Sequence, residues 1–369
     1  MKRILVICDP PAPPGFSPRV RFLCDYLIQK GYKVTLLTEQ DQPLAFEHTF
    51  PIEAIRMYSG STFDWFIKAI WTLLTDWHNR VFAKKALAIL KDQYDLVFCT
   101  VFSDFPLGAG QRLALNLNIP LICDIRDLDE QVDDSRYQYK HSCSLLMPFR
   151  SIYRAIHLHR RNKVLRAANA ITTVSPWHAD FIRQFNSNVH VVYNGFNAKL
   201  FYPEDIKTEM FVISYIGSLF EWQQPALSKV RQAIQELNNE HIRLQVSTPN
   251  RNPIPHDQMG DAIRKSSIML VLTAPHTHGM LTTKFYEALG CEKPILCVPS
   301  DNGSLAELIS YTNAGKATDN TEEIKAFILS NYAEWQKNGF THQHTLHREQ
   351  FSREYQTQKL EKIIYSLIQ

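Results

Sequence analysis

Residues 279–298 read GMLTTKFYEALGCEKPILCV and combine a helix with the strand that follows it. Leu281, Phe285 and Leu289 recur at a spacing that places side chains on one face of a helix, so this face is predicted to be buried. Residues 295–298 form a continuous apolar run, which is typical of a strand buried on both faces. A helix that leads into a buried strand is the repeating unit of an α/β domain with a parallel sheet.

Short apolar runs alternate with amphipathic stretches along the rest of the chain in the same way. Strands are predicted at 4–8, 34–38, 52–57, 96–101, 120–125, 171–174, 189–193, 211–216, 244–247, 268–273 and 295–298. Helices are predicted at 19–30, 107–117, 152–168, 224–238 and 349–368, and a further helix begins at Ser175 and Pro176. A long amphipathic stretch runs from residue 63 to residue 91. Gly31 follows the first helix, in the position where glycine commonly ends a helix.

The length of the chain predicts two domains. At 369 residues it exceeds the size at which a single hydrophobic core usually stops growing. The strand-first pattern restarts at 211–216, shortly after Pro203, where we place the boundary. Residues 1–203 are predicted to form an N-terminal Rossmann-like domain and residues 204–348 a C-terminal one. Residues 349–369 are predicted to form a C-terminal helix with one apolar side.

The composition excludes several classes of protein. Forty Lys and Arg against 37 Asp and Glu give a net charge of +3. Nucleic-acid binders typically carry a clear excess of basic residues, so no nucleic-acid partner is expected. The seven cysteines include no Cys-x-x-Cys pair, which argues against a disulfide framework or a zinc site. No apolar run approaches the ~20 residues that span a bilayer, and the run at 4–8 is too short for a signal peptide. A cytoplasmic protein is therefore expected.

The helix in the stretch quoted first carries candidate binding residues on its second face. Thr283, Lys284 and Glu287 lie there, one turn apart. The backbone N–H groups at a helix start suit a phosphate, and Lys284 would add a positive charge. Glu287 would accept hydrogen bonds from a sugar diol. The spacing is equally compatible with a solvent-facing Lys–Glu pair on an ordinary helix.

Residues 283–296 also resemble the K-x-x-E…G-K-P-I segment of glycosyltransferase family 4, whose members are retaining enzymes of the GT-B fold. Further stretches resemble family motifs in the family's order: Arg19 with GYKVT at 31–35, DIRDL at 124–128, TTVS at 172–175, VYNGFN at 192–197 and YIGSL at 215–219. The R-D-L turn is typical of a branch that builds bacterial surface polysaccharides. Each motif is weak alone, but their order along nearly the whole chain makes a chance match improbable.

The resemblance implies an α/β fold of the GT-B type, with two doubly wound Rossmann-like domains facing across a cleft that holds the active site. The C-terminal helix would cross back to pack on the N-terminal domain. The implied activity moves a hexosyl or N-acetylhexosaminyl group, with retention, from a nucleotide-diphosphate sugar to a glycan, a lipid-linked acceptor or another glycoconjugate. The donor is a co-substrate, with UDP favoured over GDP, and neither a cofactor nor a metal ion is expected.

The resemblance also assigns roles to individual residues. The donor-binding residues would be Glu287 at the ribose, Thr282, Thr283 and Lys284 at the diphosphate or sugar, Gly217 and Ser218 at the phosphates, and Gly15, Phe16 and Arg19 from the N-terminal domain. The catalytic and acceptor-side residues would be Asp124, Arg126 and Asp127, together with His278 at the transferred sugar. Alternatively, Asp124, Arg126 and Asp127 form an ion pair whose only role is to fix a loop.

The sequence departs from the family pattern at two places. Gly279 stands where the family commonly carries a first Glu, and residues 218–224 lack the usual Arg and Lys after Gly217. Diphosphate binding would then depend on backbone N–H groups, on Lys284 or on a cation from elsewhere. These departures keep two alternatives open: a degenerate GT-B protein that binds a nucleotide sugar or a partner without turnover, and a GT-B nucleotide-sugar epimerase.

Two stretches combine aromatic or apolar residues with basic ones. The stretch 63–85 is rich in Trp and Phe and contains four Lys or Arg, and the stretch 154–166 is strongly basic. Helices that lie at a membrane surface have this composition, but helices packed within an α/β domain are amphipathic too. Peripheral contact with the inner face of the membrane is therefore one of two open interpretations.

Overall fold

The computed structural model describes residues 1–9, 17–39, 49–57, 62–101, 105–131, 150–273 and 277–369. The chain divides into two compact units. The first unit contains Met1–Glu130, Ser135–Val192 and Thr357–Gln369, and the second contains Gln131–Asp134 and Tyr193–Gln356. The division after Val192 lies ahead of the predicted boundary at Pro203.

The first unit is a parallel sheet with helices between its strands. Its strands are β1 (Arg3–Cys8), β2 (Lys33–Glu39), β3 (Ile52–Ile55), β4 (Leu96–Val101), β5 (Leu121–Ile125), β6 (Ala170–Thr173) and β7 (Val189–Val191). Its helices are α1 (Pro18–Gln29), α2 (Thr62–Thr75), α3 (Trp77–Ile89), α4 (Leu107–Leu117), α5 (Arg150–Ala167) and α6 (Pro176–Arg183). The strand order is β3-β2-β1-β4-β5-β6-β7. The order reverses between β1 and β4, which is where ligands bind in open parallel sheets.

Both faces of this sheet are covered. On one face, α3, α4, α5 and α6 form a layer that buries Phe82, Leu113, Leu165 and Ile182. On the other face, the core contains Leu23 and Leu27 of α1 and, from the far end of the chain, Leu360, Ile364 and Ile368. Side chains of successive strand residues point to opposite faces, so Leu5 belongs to the first core and Val6 to the second.

The second unit is a smaller parallel sheet. Its strands are β8 (Phe211–Ile216), β9 (Ile242–Ser247), β10 (Ile268–Leu272), β11 (Ile295–Val298) and β12 (Gly315–Ala317), in the order β12-β11-β10-β8-β9. Its helices are α7 (Gln224–Leu237), α8 (Met259–Arg264), α9 (Thr283–Gly290), α10 (Ser304–Tyr311) and α11 (Thr321–Asn338), and α12 (Arg353–Leu367) follows. The two parallel sheets with interleaved helices confirm the predicted α/β class.

Local sequence signals predicted many elements correctly. The strands at 96–101, 211–216 and 295–298 and the helix at 107–117 have the predicted bounds. Ser175 caps α6 by accepting a hydrogen bond from the backbone N–H of His178, 3.2 Å away, and Pro176 is the first helical residue. Gly31, with φ of +88°, ends the first helix as predicted.

The amphipathic stretch at 63–91 forms two helices, because Asp76 separates α2 from α3. The backbone of Asp76 is left-handed, with φ of 56°. Its carboxylate accepts hydrogen bonds from Asn79 Nδ2 at 2.8 Å and from Arg112 Nη2 at 2.9 Å, contacts that a continuous apolar periodicity does not reveal. The elements α8, α10, α11 and β12 are not among those predicted. A 3-10 turn at Arg348–Phe351 shortens the predicted C-terminal helix.

Within the described part of the chain, none of the helices is both long enough and apolar enough to cross a membrane.

Candidate functional site

Gly217 follows β8 directly, at the carboxyl end of the second sheet. Its φ of +122° lies in a region that side chains disfavour. A Cβ placed on Gly217 would lie 2.9 Å from Cε and 3.0 Å from Nζ of Lys284. The backbone at Gly217 and the amino group of Lys284 are therefore in close contact, so two residues predicted to bind the donor lie together.

Lys284 belongs to the first turn of α9. Thr282 is the N-cap of this helix, and its hydroxyl accepts a hydrogen bond from the backbone N–H of Lys284 at 3.4 Å. The Lys284 amino group lies 5.2 Å from the centre of the Tyr215 ring, within the range of a cation–π interaction. Burial lowers the pKa of Lys284, and the carboxylate of Glu287 opposes this shift. The amino group is thus a partly desolvated cation at a helix N-terminus.

Gln223 holds the loop that follows Gly217. Its side-chain oxygen accepts hydrogen bonds from the backbone N–H of Phe220 at 3.0 Å and from the Tyr215 hydroxyl at 3.1 Å. Its side-chain nitrogen donates to the carbonyl oxygen of Leu272 at 2.9 Å, and the residue is only 5% exposed. The Tyr215 hydroxyl oxygen also lies 2.6 Å from the carbonyl oxygen of Ser218, so its single proton is shared between these two acceptors. The role of Gln223 was not predicted, because a buried amide has no signature in spacing or composition.

Glu287 lies one turn after Lys284 and is partly buried. Burial raises the pKa of Glu287, while Arg353 and Lys284 pull the pKa in the opposite direction. Burial lowers the pKa of Arg353, because it disfavours the charged guanidinium, and the carboxylate of Glu287 opposes this shift. Arg353 is the first residue of α12 and is 9% exposed; its backbone N–H donates to the carbonyl of Phe196 at 2.8 Å. The solvent-facing alternative for the Lys–Glu pair does not describe this environment, and the contribution of Arg353 was not predicted.

Aromatic packing fixes α9 in place behind these polar groups. Phe285 and Tyr286 of α9 are fully buried in one core together with Phe196 and Phe201. A Cβ on Gly290, the last residue of α9, would lie 2.7 Å from a ring carbon of Phe196. This close packing limits how far the helix start that carries Lys284 can shift.

In the first unit, Asp124 near the end of β5 is an anchor for Arg19. Arg19 donates two hydrogen bonds to its carboxylate, from Nε at 3.0 Å and from Nη2 at 2.8 Å. Thr100 and Thr172 donate one hydroxyl hydrogen bond each, at 2.8 and 2.6 Å. Burial acts to raise the pKa of Asp124, but Arg19 and the hydrogen bonds outweigh it, so the pKa lies below its ordinary value. Both carboxylate oxygens are engaged, which suits holding Arg19 better than accepting a proton.

Arg126 and Asp127 follow β5. The Arg126 guanidinium is 6% exposed and donates to the carboxylate of Asp9, which follows β1, at 2.5 Å. This contact is the loop-fixing ion pair considered as the alternative for these residues. Asp127 is partly buried at the same end of the sheet. Arg19, Asp124, Arg126 and Asp127 thus belong to one edge of the first unit.

The remaining predicted site residues differ in how much the structure reveals. Ser218 and Thr283 are exposed on the second unit, beside Gly217 and at the start of α9. His278 has an exposed side chain, and its backbone N–H donates to the carbonyl of Gln131 at 2.7 Å. Gly15 and Phe16 lie outside the described residues. Among those described, no three His, Cys, Asp or Glu side chains form a group that could hold a metal ion.

Each of the two parallel sheets carries polar side chains at the carboxyl ends of its strands. Comparison with known proteins identifies the class of protein that has this fold. Residues 15–200 match the model of Glycosyltransferase Family 4, and the chain belongs to this family. This result confirms the resemblance noted in the sequence motifs. Searching the curated proteins yields no significant match.

Solved structures identify the fold as that of the GT-B glycosyltransferases. The chain is similar over its whole length to all of Anabaena Alr3699/HepE in complex with UDP-glucose, with a TM-score of 0.63 and 14% identity. It is similar over 100% of its length to 99% of a glycosyltransferase from Rickettsia africae, with a TM-score of 0.64 and 13% identity. It also matches, over 98% of its length and 99% of that chain, the lipopolysaccharide outer core galactosyltransferase WaaB, with a TM-score of 0.61 and 11% identity.

Proposed function

We propose that the protein transfers a hexosyl or N-acetylhexosaminyl group, with retention, from a nucleotide-diphosphate sugar to a glycan or lipid-linked acceptor in bacterial surface polysaccharide assembly. The observation that carries this proposal is the position of the Lys284 amino group against the backbone of Gly217, one turn before Glu287. A diphosphate at this place would contact the start of α9, and the nucleoside would extend toward Glu287.

The electrostatics of Lys284 favour an anionic ligand. Burial disfavours its charged form in the free protein, and the departure of its pKa from the ordinary value expresses that cost. A diphosphate would offset the cost by pairing with the ammonium group and with the backbone N–H groups at the start of α9. The same groups would stabilise the charge that develops on the diphosphate as it leaves, without a metal ion or a cofactor.

Glu287 suits the recognition of a ribose diol. An ionised carboxylate accepts strong hydrogen bonds from hydroxyl groups. Burial raises the pKa of Glu287, and Arg353 and Lys284 act against this shift by favouring the ionised form. We assign Glu287 to the ribose, and Thr282, Thr283 and Ser218 to the diphosphate or the transferred sugar.

On the first unit, Arg19 is the best candidate for a preorganised contact with an anionic substrate. Asp124 holds two of its nitrogens, and its Nη1 donates to the carbonyl of Val192 at 2.9 Å. We assign Asp124 as the residue that positions Arg19, and Asp127 and His278 to the acceptor side of the reaction. Arg126 would keep the end of β5 in place through Asp9.

Three further observations support parts of the proposal. The Anabaena protein of the same fold was solved with UDP-glucose, which supports UDP over GDP as the donor nucleotide. WaaB is a galactosyltransferase of lipopolysaccharide, which supports a hexosyl donor and a lipid-linked or glycan acceptor. The six described cysteines are free and buried, which is consistent with a cytoplasmic protein.

The test is to titrate the protein with UDP and with GDP, followed by calorimetry and by thermal unfolding. UDP is expected to bind more tightly, and a hundredfold excess over Kd stabilises the folded state by about 2.7 kcal/mol. The variant Glu287→Gln is expected to lose at least about tenfold in affinity, because the amide replaces a charged acceptor. The matched control is Glu322→Gln on α11, where the glutamate side chain is 80% exposed.

The outcome separates the alternatives. If neither UDP nor GDP binds, or if Glu287→Gln and Glu322→Gln bind equally, the donor site is not at α9. If UDP binds but no UDP-sugar is consumed in the presence of bacterial lipid and glycan acceptors, the protein is a degenerate member that binds without turnover.

A further inference from the structure

Helix α2 of the first unit exposes a continuous apolar stripe. Five large side chains point to solvent at helical spacing, so they share one side of the helix. They are Phe66, Ile67, Ile70, Trp71 and Leu74, with 39, 38, 40, 52 and 70% of their surface exposed. We call these five residues the α2 face. Isolated exposed apolar residues are ordinary, but five within nine positions of one helix form a patch of the kind that marks an interaction surface.

The helices next to α2 carry an unbalanced positive charge. Helices α3 and α5 together contain nine Lys and Arg residues and no Asp or Glu, although the whole chain has a net charge of only +3. The described cations that are exposed on them are Arg80, Lys84, Lys85, Lys163 and Arg166. The one carboxylate of α2, Asp64, is already paired with Lys68 at 2.6 Å. Arg161 is paired with Glu130 and Arg160 lies 4.0 Å from Asp76, so the excess positive charge of this helical layer comes from the exposed cations.

Direct contacts bring this charge to the α2 face. Arg160 of α5 donates to the carbonyl oxygens of Thr72 and Leu73, each at 2.7 Å, immediately before the exposed Leu74. A cavity of about 220 Å³ lies beside this end of α2. Its charged and titratable lining residues include Asp76, Arg112, His159, Arg160, Arg161 and Lys163. Through Arg160 and Asp76, this cation-lined cavity thus adjoins the C-terminal end of α2.

We infer that the α2 face docks on an anionic lipid bilayer. A helix of 14 residues with one apolar side lies in the plane of the bilayer surface, with that side among the acyl chains. Trp71 suits the boundary between headgroups and acyl chains, because its ring has an apolar body and a polar N–H. The cations of α3 and α5 would meet the lipid phosphates, and each one near an anionic surface strengthens attachment.

The charge distinguishes this occupant from a second copy of the chain. A symmetric dimer through the α2 face would bring two layers rich in Lys and Arg together, and like charges repel. An anionic bilayer instead complements both the apolar stripe and the cations around it. The inference depends only on residues of the first unit and does not require the donor site on the second.

The test is flotation of the full-length protein with lipid vesicles. Vesicles of phosphatidylcholine and phosphatidylglycerol in equal parts are expected to bind the protein, and vesicles of phosphatidylcholine alone are expected to bind it weakly. Added salt is expected to weaken the binding, because it screens the charges. The double variant Trp71→Ser with Leu74→Ser should lose about tenfold in vesicle affinity, since both side chains would be withdrawn from the lipid. The variant Lys84→Glu with Lys163→Glu should lose affinity for the anionic vesicles.

The control is Leu329→Ser, which removes a 46% exposed leucine from α11 of the second unit and should leave vesicle binding unchanged. Urea unfolding and UDP titration of each variant show that it remains folded. Equal binding to neutral and anionic vesicles would overturn the inference, as would full binding by Trp71→Ser with Leu74→Ser. A dimer in sedimentation that this double variant dissociates, without any vesicle binding, would assign the face to self-association. If the wild-type protein binds UDP but not the anionic vesicles, this inference alone is refuted, and if it binds the vesicles but not UDP, the donor site alone is refuted.

Discussion

At the residue scale, Gly217 is a position of the second unit where a side chain would be both strained and crowded. Its backbone has φ of +122°, and the space that a Cβ would occupy is already filled by the end of the Lys284 side chain. Two independent constraints, one conformational and one steric, therefore act at the same residue.

The substitution Gly217→Ala is predicted to lower the free energy of unfolding by about 1–2 kcal/mol, because alanine is strained at this φ. It should also weaken UDP binding, since the added methyl group displaces Lys284. Urea unfolding and calorimetric titration measure the two effects. Gly303→Ala is the control: a Cβ there meets its nearest neighbour at an ordinary 3.5 Å. Equal effects of the two substitutions would contradict the assigned role of Gly217.

Residues on one helix were easier to predict than residues brought together by the fold. The spacing of Lys284 and Glu287 placed them on one face of α9, because helical periodicity is local. The electrostatic interaction of Glu287 with Arg353 was not predictable, since these residues come near each other only after the chain folds. Their charges influence each other's pKa across that long separation in sequence.

At the element scale, Asp124 joins three strands and a helix of the first unit. Its carboxylate takes hydrogen bonds from Thr100 on β4, from Thr172 on β6 and from Arg19 on α1. The side chain of Asp124 is 1% exposed and that of Arg19 is 12% exposed, so solvent screens this pair little. The sequence motif identified Asp124 as important but did not distinguish an anchor from a catalytic group.

The variant Asp124→Asn is predicted to lose about 3 kcal/mol in the free energy of unfolding at neutral pH, because it leaves the buried Arg19 cation unpaired. The folded-state pKa of Asp124 is lowered, so its contribution is present above the unfolded-state pKa and is lost as pH falls through the folded-state pKa. The difference between wild type and variant should therefore shrink in acid. Urea unfolding at neutral and acidic pH measures it.

Asp180→Asn is the matched control, because the Asp180 side chain is 73% exposed in a surface pair with Arg183. A change within about 0.5 kcal/mol is expected there. A loss in Asp124→Asn that does not depend on pH would show that the carboxylate charge is not the source of the stabilisation.

Loops and helix interruptions were the elements that sequence patterns described least well. The break at Asp76 lies inside an amphipathic run, so periodicity alone did not reveal it. Gln223 organises the loop after β8 through three hydrogen bonds to groups that are distant or non-adjacent in the sequence. Such networks depend on geometry, whereas hydrophobic spacing reports only which side of an element is buried.

At the scale of the whole molecule, the two ends of the chain share one core. Ile364 is fully buried with Ile4 and Val6 of β1 and with Leu27 of α1. The segment Thr357–Gln369 is therefore part of the first unit, although most of the second unit precedes it in the sequence. Loss of its apolar side chains should destabilise the sheet that begins the chain.

The substitution Ile364→Ala is predicted to lower the free energy of unfolding by about 3 kcal/mol, because it leaves a cavity in a packed core. Tyr365→Ala on the same helix is the control: Tyr365 is 58% exposed, and a change below about 1 kcal/mol is expected. Urea unfolding followed by circular dichroism makes the comparison. Equal losses for the two variants would argue that Ile364 is not a core residue.

The sequence alone determined the α/β class, most strand positions, the caps at Ser175 and Gly31, and the family. These features depend on periodicity, on capping chemistry and on short motifs, all of which act between near neighbours. Only the tertiary structure decided that Lys284 lies against Gly217, that the charge of Arg353 acts on Glu287 and that Asp124 holds Arg19. The physical reason is that a charge or a close contact acts through space, and the folded sheets bring together residues that no local pattern connects.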